Sequence, residues 1–254
     1  YTGQADRDIA IGADAGEIGQ GQGGSGAVGT AALAVGFGAG QYFQSGYAVA
    51  IGQLAGNTGQ GVGAVAMGLN AGRFRQGINA VAVGSGAGET GQLSSAVAIG
   101  NDAGTDNQAT NAVAVGHEAG AWHQRTDCVA VGYQAGFTGQ GGGPSPPGRG
   151  FPCVAIGALA GGHDQGITQD VAVASDDAHE KGTAAIAIGP DTGHTGQGWE
   201  AIAIGSASNT LLPGVTGGGP TGGIQQVTTS LCIGNATVNP WGRSTVRNVD
   251  LSMA

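Results

Sequence analysis

At 254 residues with a formal net charge of −9, the chain has room for one or two domains, but its composition is not that of an ordinary globule. Gly alone supplies 55 residues, charged residues make up 10% and aromatics 5%, which argues against a conventional core of bulky apolar side chains. With only 8 Lys and Arg, no basic stripe can neutralise a phosphate backbone or dock on an anionic membrane. No apolar run nears the ~20 residues of a membrane span. Neither a nucleic-acid partner nor direct membrane insertion is therefore expected, and no residue pattern calls for a cofactor. The opening YTGQADRD has no signal-peptide pattern, so a signal or anchor of an exported protein is expected outside this chain.

One short string recurs from end to end. In chain order it reads DIAIG from Asp8, ALAVG from Ala32, then AVAIG, AVAMG, AVAVG, AVAIG and AVAVG from Ala48, Ala64, Ala80, Ala96 and Ala112, and CVAVG from Cys128. CVAIG from Cys153, DVAVA from Asp170, AIAIG from Ala185 and Ala201, and SLCIG from Ser230 complete about thirteen copies. From Ala32 to Cys128 the step is 16 residues each time, a register that disorder does not produce.

The columns of this repeat predict its structure. Within each string, larger apolar residues such as Val49 and Ile51 alternate with Ala, the period of a β-strand with one bulky and one small face. Gly follows at once, as at Gly52 and Gly68, where the chain must turn. An Ala-Gly pair comes three residues later, as at Ala55 and Gly56. A Gln then closes each unit, at Gln44, Gln60, Gln76, Gln92, Gln108, Gln124 and Gln140.

The predicted fold is all-β, a narrow parallel β-solenoid of about thirteen 16-residue coils forming a rod of roughly 60 Å. Residues 1–234 carry the repeat and 235–254 form an exit segment, a neck or fibre transition. The Val and Ile columns are expected to fill the coil, and the Gln column to form an amide ladder. The Ala columns, at Ala50, Ala66, Ala82, Ala98, Ala114 and Ala130, are expected to point outward. Such a stripe, nearly free of charge, suits burial against identical chains in a homo-oligomer symmetric about the long axis. The alternative is a flat solvated face that tolerates Ala.

AVAIGQLA from Ala48 and AVAIGNDA from Ala96 resemble the S-V-A-I-G-x-x-A signature of the YadA-like head repeats of trimeric autotransporter adhesins, over roughly Asp8 to Gly234. The resemblance implies a left-handed parallel β-roll assembled as a homotrimer. It departs from the family in its unit, which is longer and richer in Gly and Gln, and in lacking a heptad stalk and an anchor barrel. Similar longer units occur in fibre proteins of phages and large viruses, and bacterial adhesin and virion fibre both stay open.

Function is expected where the period breaks, near 13–30, 141–152 and 206–229, all Gly-rich. Aromatic and basic residues in the variable half of some coils form a further candidate strip: Tyr42, Phe43, Arg73, Phe74, Arg75, Trp122, His123, Tyr133, Phe137 and Trp199, with Arg149 inside the second break. Exposed aromatics there can stack on sugar rings or anchor a protein partner; packing over turns or between chains explains them equally well.

Catalysis has little support, since the five His are scattered and the polar cluster Asp176, Asp177, His179 and Glu180 has no metal-loop signature. Cys128 and Cys153 occupy the Ala-type first position of their strings on either side of the second break, so they stand either as small core residues or as a disulfide pair; Cys232 is the third cysteine. Asn235 to Thr237 is a lone glycosylation sequon, meaningful only in a eukaryotic secretory setting. The leading reading is a non-enzymatic adhesive fibre segment, extracellular on a cell or virion surface, that attaches to a host receptor or glycan. A purely structural filament or spacer is the alternative, and a polysaccharide-processing solenoid enzyme ranks last.

Overall fold

The computed structural model describes residues 7–21, 31–141, 152–163, 185–190, 202–204 and 231–233. Among the described residues, twelve short strands form one all-parallel sheet in strict chain order. They are β1 (Ile9–Ile11), β2 (Leu33–Val35), β3 (Val49–Ile51), β4 (Val65–Met67), β5 (Val81–Val83), β6 (Val97–Ile99), β7 (Val113–Val115), β8 (Val129–Val131), β9 (Cys153–Ile156), β10 (Ala185–Ile188), β11 (Ile202–Ile204) and β12 (Leu231–Ile233). Equivalent residues pair without slippage: Ala50 lies on Ala66, Ala66 on Ala82 and Ala82 on Ala98. This is the β-solenoid that the repeat predicts.

Hydrogen bonding from coil to coil continues around the whole turn. In the coil that begins at Ala48, the N–H groups of Val49, Gly56, Thr58 and Gly61 donate forward to Ala64, Ala71, Arg73 and Gln76. Those of Gly52, Leu54, Gly59 and Gly63 donate back to Val35, Phe37, Tyr42 and Gly46. Backbone polar groups are thus satisfied by the coils above and below, which fixes the rise at about 4.8 Å per coil.

The faces of the strands are the reverse of the sequence expectation. Ala50, Ala66, Ala82, Ala98, Ala114 and Ala130 have no exposed surface in the single chain, so they line the coil and cannot face another copy. They pack with a second Ala column, Ala55, Ala71, Ala87, Ala103, Ala119 and Ala135, in one continuous core. Val and Ile of the strands lie on the outside, Ile11 at 59% exposure and Ile99 at 40%. The reason is steric. The opposite wall approaches so closely that a Cβ built on Gly136 lies 3.2 Å from the Ala130 methyl, which leaves no room for a branched side chain between the walls.

The corners are tight. At the end of β3 a Cβ on Gly52 (φ +126°) would sit 2.6 Å from the carbonyl oxygen of Gly68 in the next coil, so this column admits only Gly. Three other corners take left-handed backbone in non-Gly residues, for example Leu54, Phe43 and Tyr47 at φ 56–60°. Asn and Asp serve at several equivalent positions, among them Asn70, Asp102, Asn107, Asn111 and Asp127.

The predicted Gln ladder is present. Gln44, Gln60, Gln76, Gln92, Gln108, Gln124 and Gln140 are all buried, as is Gln20 one coil earlier. The Nε2 of each Gln from Gln60 to Gln124 donates to the Oε1 of the next, at 2.9–3.1 Å. Each also donates to a strand carbonyl, as Gln92 does to Val81 at 2.8 Å. The amide ladder begins at Gln60; Gln44 instead donates to the carbonyls of Leu33 and Ala48.

The first coil runs regularly through Gly21, with Ala15 and Gln20 buried, so residues 13–21 of the expected first break belong to a regular coil. Cys153–Ile156 pairs directly with Ala185–Ile188 in parallel register. The Asp170 copy itself, the third break and the exit segment lie outside the described residues, as do the Asp176 to Glu180 cluster and the sequon.

Replacing Gln92 by Met removes the donor to Val81 and Gln108 and the acceptor of Gln76 while keeping the volume. Urea unfolding followed by circular dichroism should show a loss of about 2–4 kcal/mol, because buried amide and carbonyl groups are left unpaired.

Candidate functional site

A second column of parallel bridges runs along a wall other than the strand wall: Ile18, Tyr42, Thr58, Phe74, Thr90, Asp106, Trp122, Thr138 and His163. It brings together most of the predicted contact residues. Tyr42, Phe74 and Trp122 stand in this column itself. Arg73 and Phe137 precede it by one residue, and Phe43, Arg75 and His123 follow it by one. The latter three sit at a left-handed corner, φ 56–58°, which turns the chain just past the bridge. Tyr133 lies apart, stacked on His117 with ring centroids 5.5 Å apart. Arg149 and Trp199 lie outside the described residues.

The strip is open and modestly charged. Phe43 is 65% exposed, Trp122 43% and Phe74 37%. The Arg73 guanidinium carbon lies 4.6 Å from the Phe74 ring centroid, and its Nη1 is 3.5 Å from Glu89 Oε1 one coil along. Phe137 meets His163 edge to face at 5.9 Å. Side chains on equivalent positions also bond between coils, with Gln41 donating to Glu17 at 2.7 Å and Asn57 donating to Gln41 at 3.0 Å. Tyr42 and Phe74 are two coils apart, about 10 Å, and Phe74 and Trp122 three, about 14 Å. Thr58 and Thr90 fill intervening rungs and leave shallower ground between the rings.

Thr58, Thr90 and Asp106 were not singled out from the sequence, although each precedes its ladder Gln by two residues, as Tyr42, Phe74 and Trp122 do. That fixed offset was the available signal. Among the described residues no group of three His, Cys, Asp or Glu side chains is placed to hold a metal ion.

The strand wall offers a different surface. In β1 to β9 every outward position is Val, Ile, Leu or Met, from Ile9 and Ile11 to Val154 and Ile156. Exposed Val62, Ile78 and Leu93 lie beside it, in the turns that enter the strands. The predicted oligomer-facing role of Ala is therefore corrected: the uncharged stripe that the single chain presents is made of branched apolar side chains. Comparison with family models, with curated proteins and with solved structures finds no match.

Because Phe74 and Trp122 are supported by the coil without filling it, replacing both by Ala should leave urea unfolding within about 1 kcal/mol of the parent chain. A larger loss would mean that they pack as structural residues.

Proposed function

We propose that the chain is a segment of an extracellular fibre, built as a left-handed β-roll, that assembles laterally with two further copies of itself. In this reading it displays a strip of aromatic and basic side chains for attachment to a host receptor or glycan. The observation that carries it is the unbroken apolar strand wall. Each coil encloses little beyond Ala methyls, Gly and one Gln, whereas two Val- or Ile-sized side chains per coil face outward. Burial of apolar surface scales with area, so most of the stabilisation stored in this sequence is realised only when that wall is covered. A long apolar stripe repeated at one spacing is self-complementary in a symmetric assembly.

The number three and the left hand come from the resemblance to YadA-like head repeats; the in-register coils support a β-solenoid. Attachment rests on the exposure of Phe43, Phe74 and Trp122 and on their alignment along the rod. No reaction is assigned to the chain; it holds its ligand and does not transform it. The second reading, a spacer with no ligand of its own, keeps the assembly and drops the strip.

Light scattering behind size-exclusion chromatography tests the assembly, with an expected mass three times the 24.4 kDa of the chain. A triple variant, Val81→Lys, Val97→Lys and Val113→Lys, should elute as a monomer that keeps the β-sheet circular dichroism. A parent chain that is monomeric at micromolar concentration contradicts the assembly. Glycan arrays and host-cell binding, with the Phe74 and Trp122 double Ala variant as control, then separate attachment from spacing: binding that survives the double substitution excludes the strip.

A further inference from the structure

The first position of the repeat is a buried Ala at Ala32, Ala48, Ala64, Ala80, Ala96 and Ala112. On the next two rungs it is Cys128 and then Cys153, both without exposed surface, and the two form a small buried cluster of their own. Between them lies the Gly- and Pro-rich interruption of residues 141–152. Both cysteines thus fall on the pair of coils that this interruption separates in sequence and the ladder joins in space. The register is explicit: Val129 pairs with Val154 and Ala130 with Ala155, which sets Cys128 beside Cys153 one ladder spacing away. That spacing, about 4.8 Å between Cα atoms, lies within the range a disulfide spans.

The surroundings hold the two sulfurs on the same side of the wall. Cys128 Sγ lies 3.7 Å from the carbonyl oxygen of Gln140, whose own Nε2 donates to the Cys153 carbonyl at 3.4 Å. The hydrogen bond between the two thiols, followed by burial, pushes the Cys128 thiol well above its ordinary range. With no exposed surface on either cysteine, the closed coil shields both sulfurs from oxidants and alkylating agents alike. Any bond between the two sulfurs therefore forms before β9 settles onto β8.

We propose that Cys128 and Cys153 become a disulfide when the chain coils in a compartment that supplies a disulfide oxidant, giving one covalent rung at the base of the 141–152 insertion. The exchange balances with one external disulfide, either a small molecule or a thiol oxidoreductase. One cysteine thiolate attacks a sulfur of that disulfide and expels a thiolate, forming a mixed disulfide. The second cysteine thiolate then attacks the protein sulfur and expels the other thiolate. The two cysteines lose two protons and two electrons, and the oxidant leaves as two thiols. The cross-link closes a segment that is longer than the regular unit by the inserted residues, so it restricts the unfolded chain where coil closure is entropically most expensive.

The tryptic sites decide the matter without ambiguity, because Arg125, Arg149 and Lys181 divide the region into fragments 126–149 and 150–181 with one cysteine each. The full chain is refolded with oxidised and reduced glutathione, unfolded in the presence of a maleimide, and digested. The expected result is a single species containing both fragments, lighter by two hydrogens than their sum and separated by reductant. Reduction should lower the Tm of the parent by about 5 °C or more. It should not move the Tm of the Cys128→Ala, Cys153→Ala variant, which carries the residue normal to that column. Recovery of both fragments as separate maleimide adducts, or linkage of either cysteine to Cys232, would overturn the proposal.

Discussion

Everything in this molecule depends on one constraint: each coil must hydrogen-bond to the next around most of its circumference, at a rise of about 4.8 Å. At that spacing every residue sits directly on its own equivalent in the neighbouring coil. A position is therefore usable only by side chains that tolerate a stack of similar neighbours. Gly52 and its equivalents meet the next carbonyl too closely for any Cβ. The Ala columns fit because a methyl stacks on a methyl. Gln fits because an amide carries both donor and acceptor, so from Gln60 to Gln140 each buried side chain can donate to the next.

The same constraint sets the energetics. A coil this narrow gains a full complement of hydrogen bonds but little apolar burial, and hydrogen bonds alone contribute modestly to net stability. The large side chains that would ordinarily make a core stand on the outer wall, half-exposed in the single chain. The proposed lateral assembly would cover that wall and so add the apolar burial that the single coil lacks. The other surfaces mix inter-coil polar pairs, Glu17 with Gln41 and Asn111 with Asp127, with exposed aromatics such as Phe43 and Trp122, so they carry contacts that differ from coil to coil.

Much of this architecture was legible in the residues. The 16-residue step, the strands, the Gly turn after each strand and the Gln ladder all follow from column composition, because stacking makes each position answer for itself. The orientation of the strand was not legible from alternation alone. A period of two separates two faces without saying which is inside, and the habit of placing Val and Ile inward misled here. The signal that decides it lies across the coil: Ala55 with Gly56, and their equivalents, form an opposing wall of minimal side chains. The aromatic strip was legible as one edge of the stacked coils. The second bridge column, which ends at His163, adds which residues share it, with Tyr42, Phe74 and Trp122 on the column and Tyr133 apart.

The central claim, that Ala lines the coil and Val covers it, is most directly tested on two neighbouring residues of β6. Thermal unfolding of Ala98→Leu and Val97→Thr should separate them cleanly. The account predicts that Ala98→Leu, forced into a space sized for a methyl, costs at least about 1–3 kcal/mol or abolishes the cooperative transition. Val97→Thr should retain the parent circular dichroism and unfold within about 1 kcal/mol of it when measured on dissociated chains. The reverse ordering, with Leu tolerated at position 98 and Thr disruptive at position 97, would contradict it.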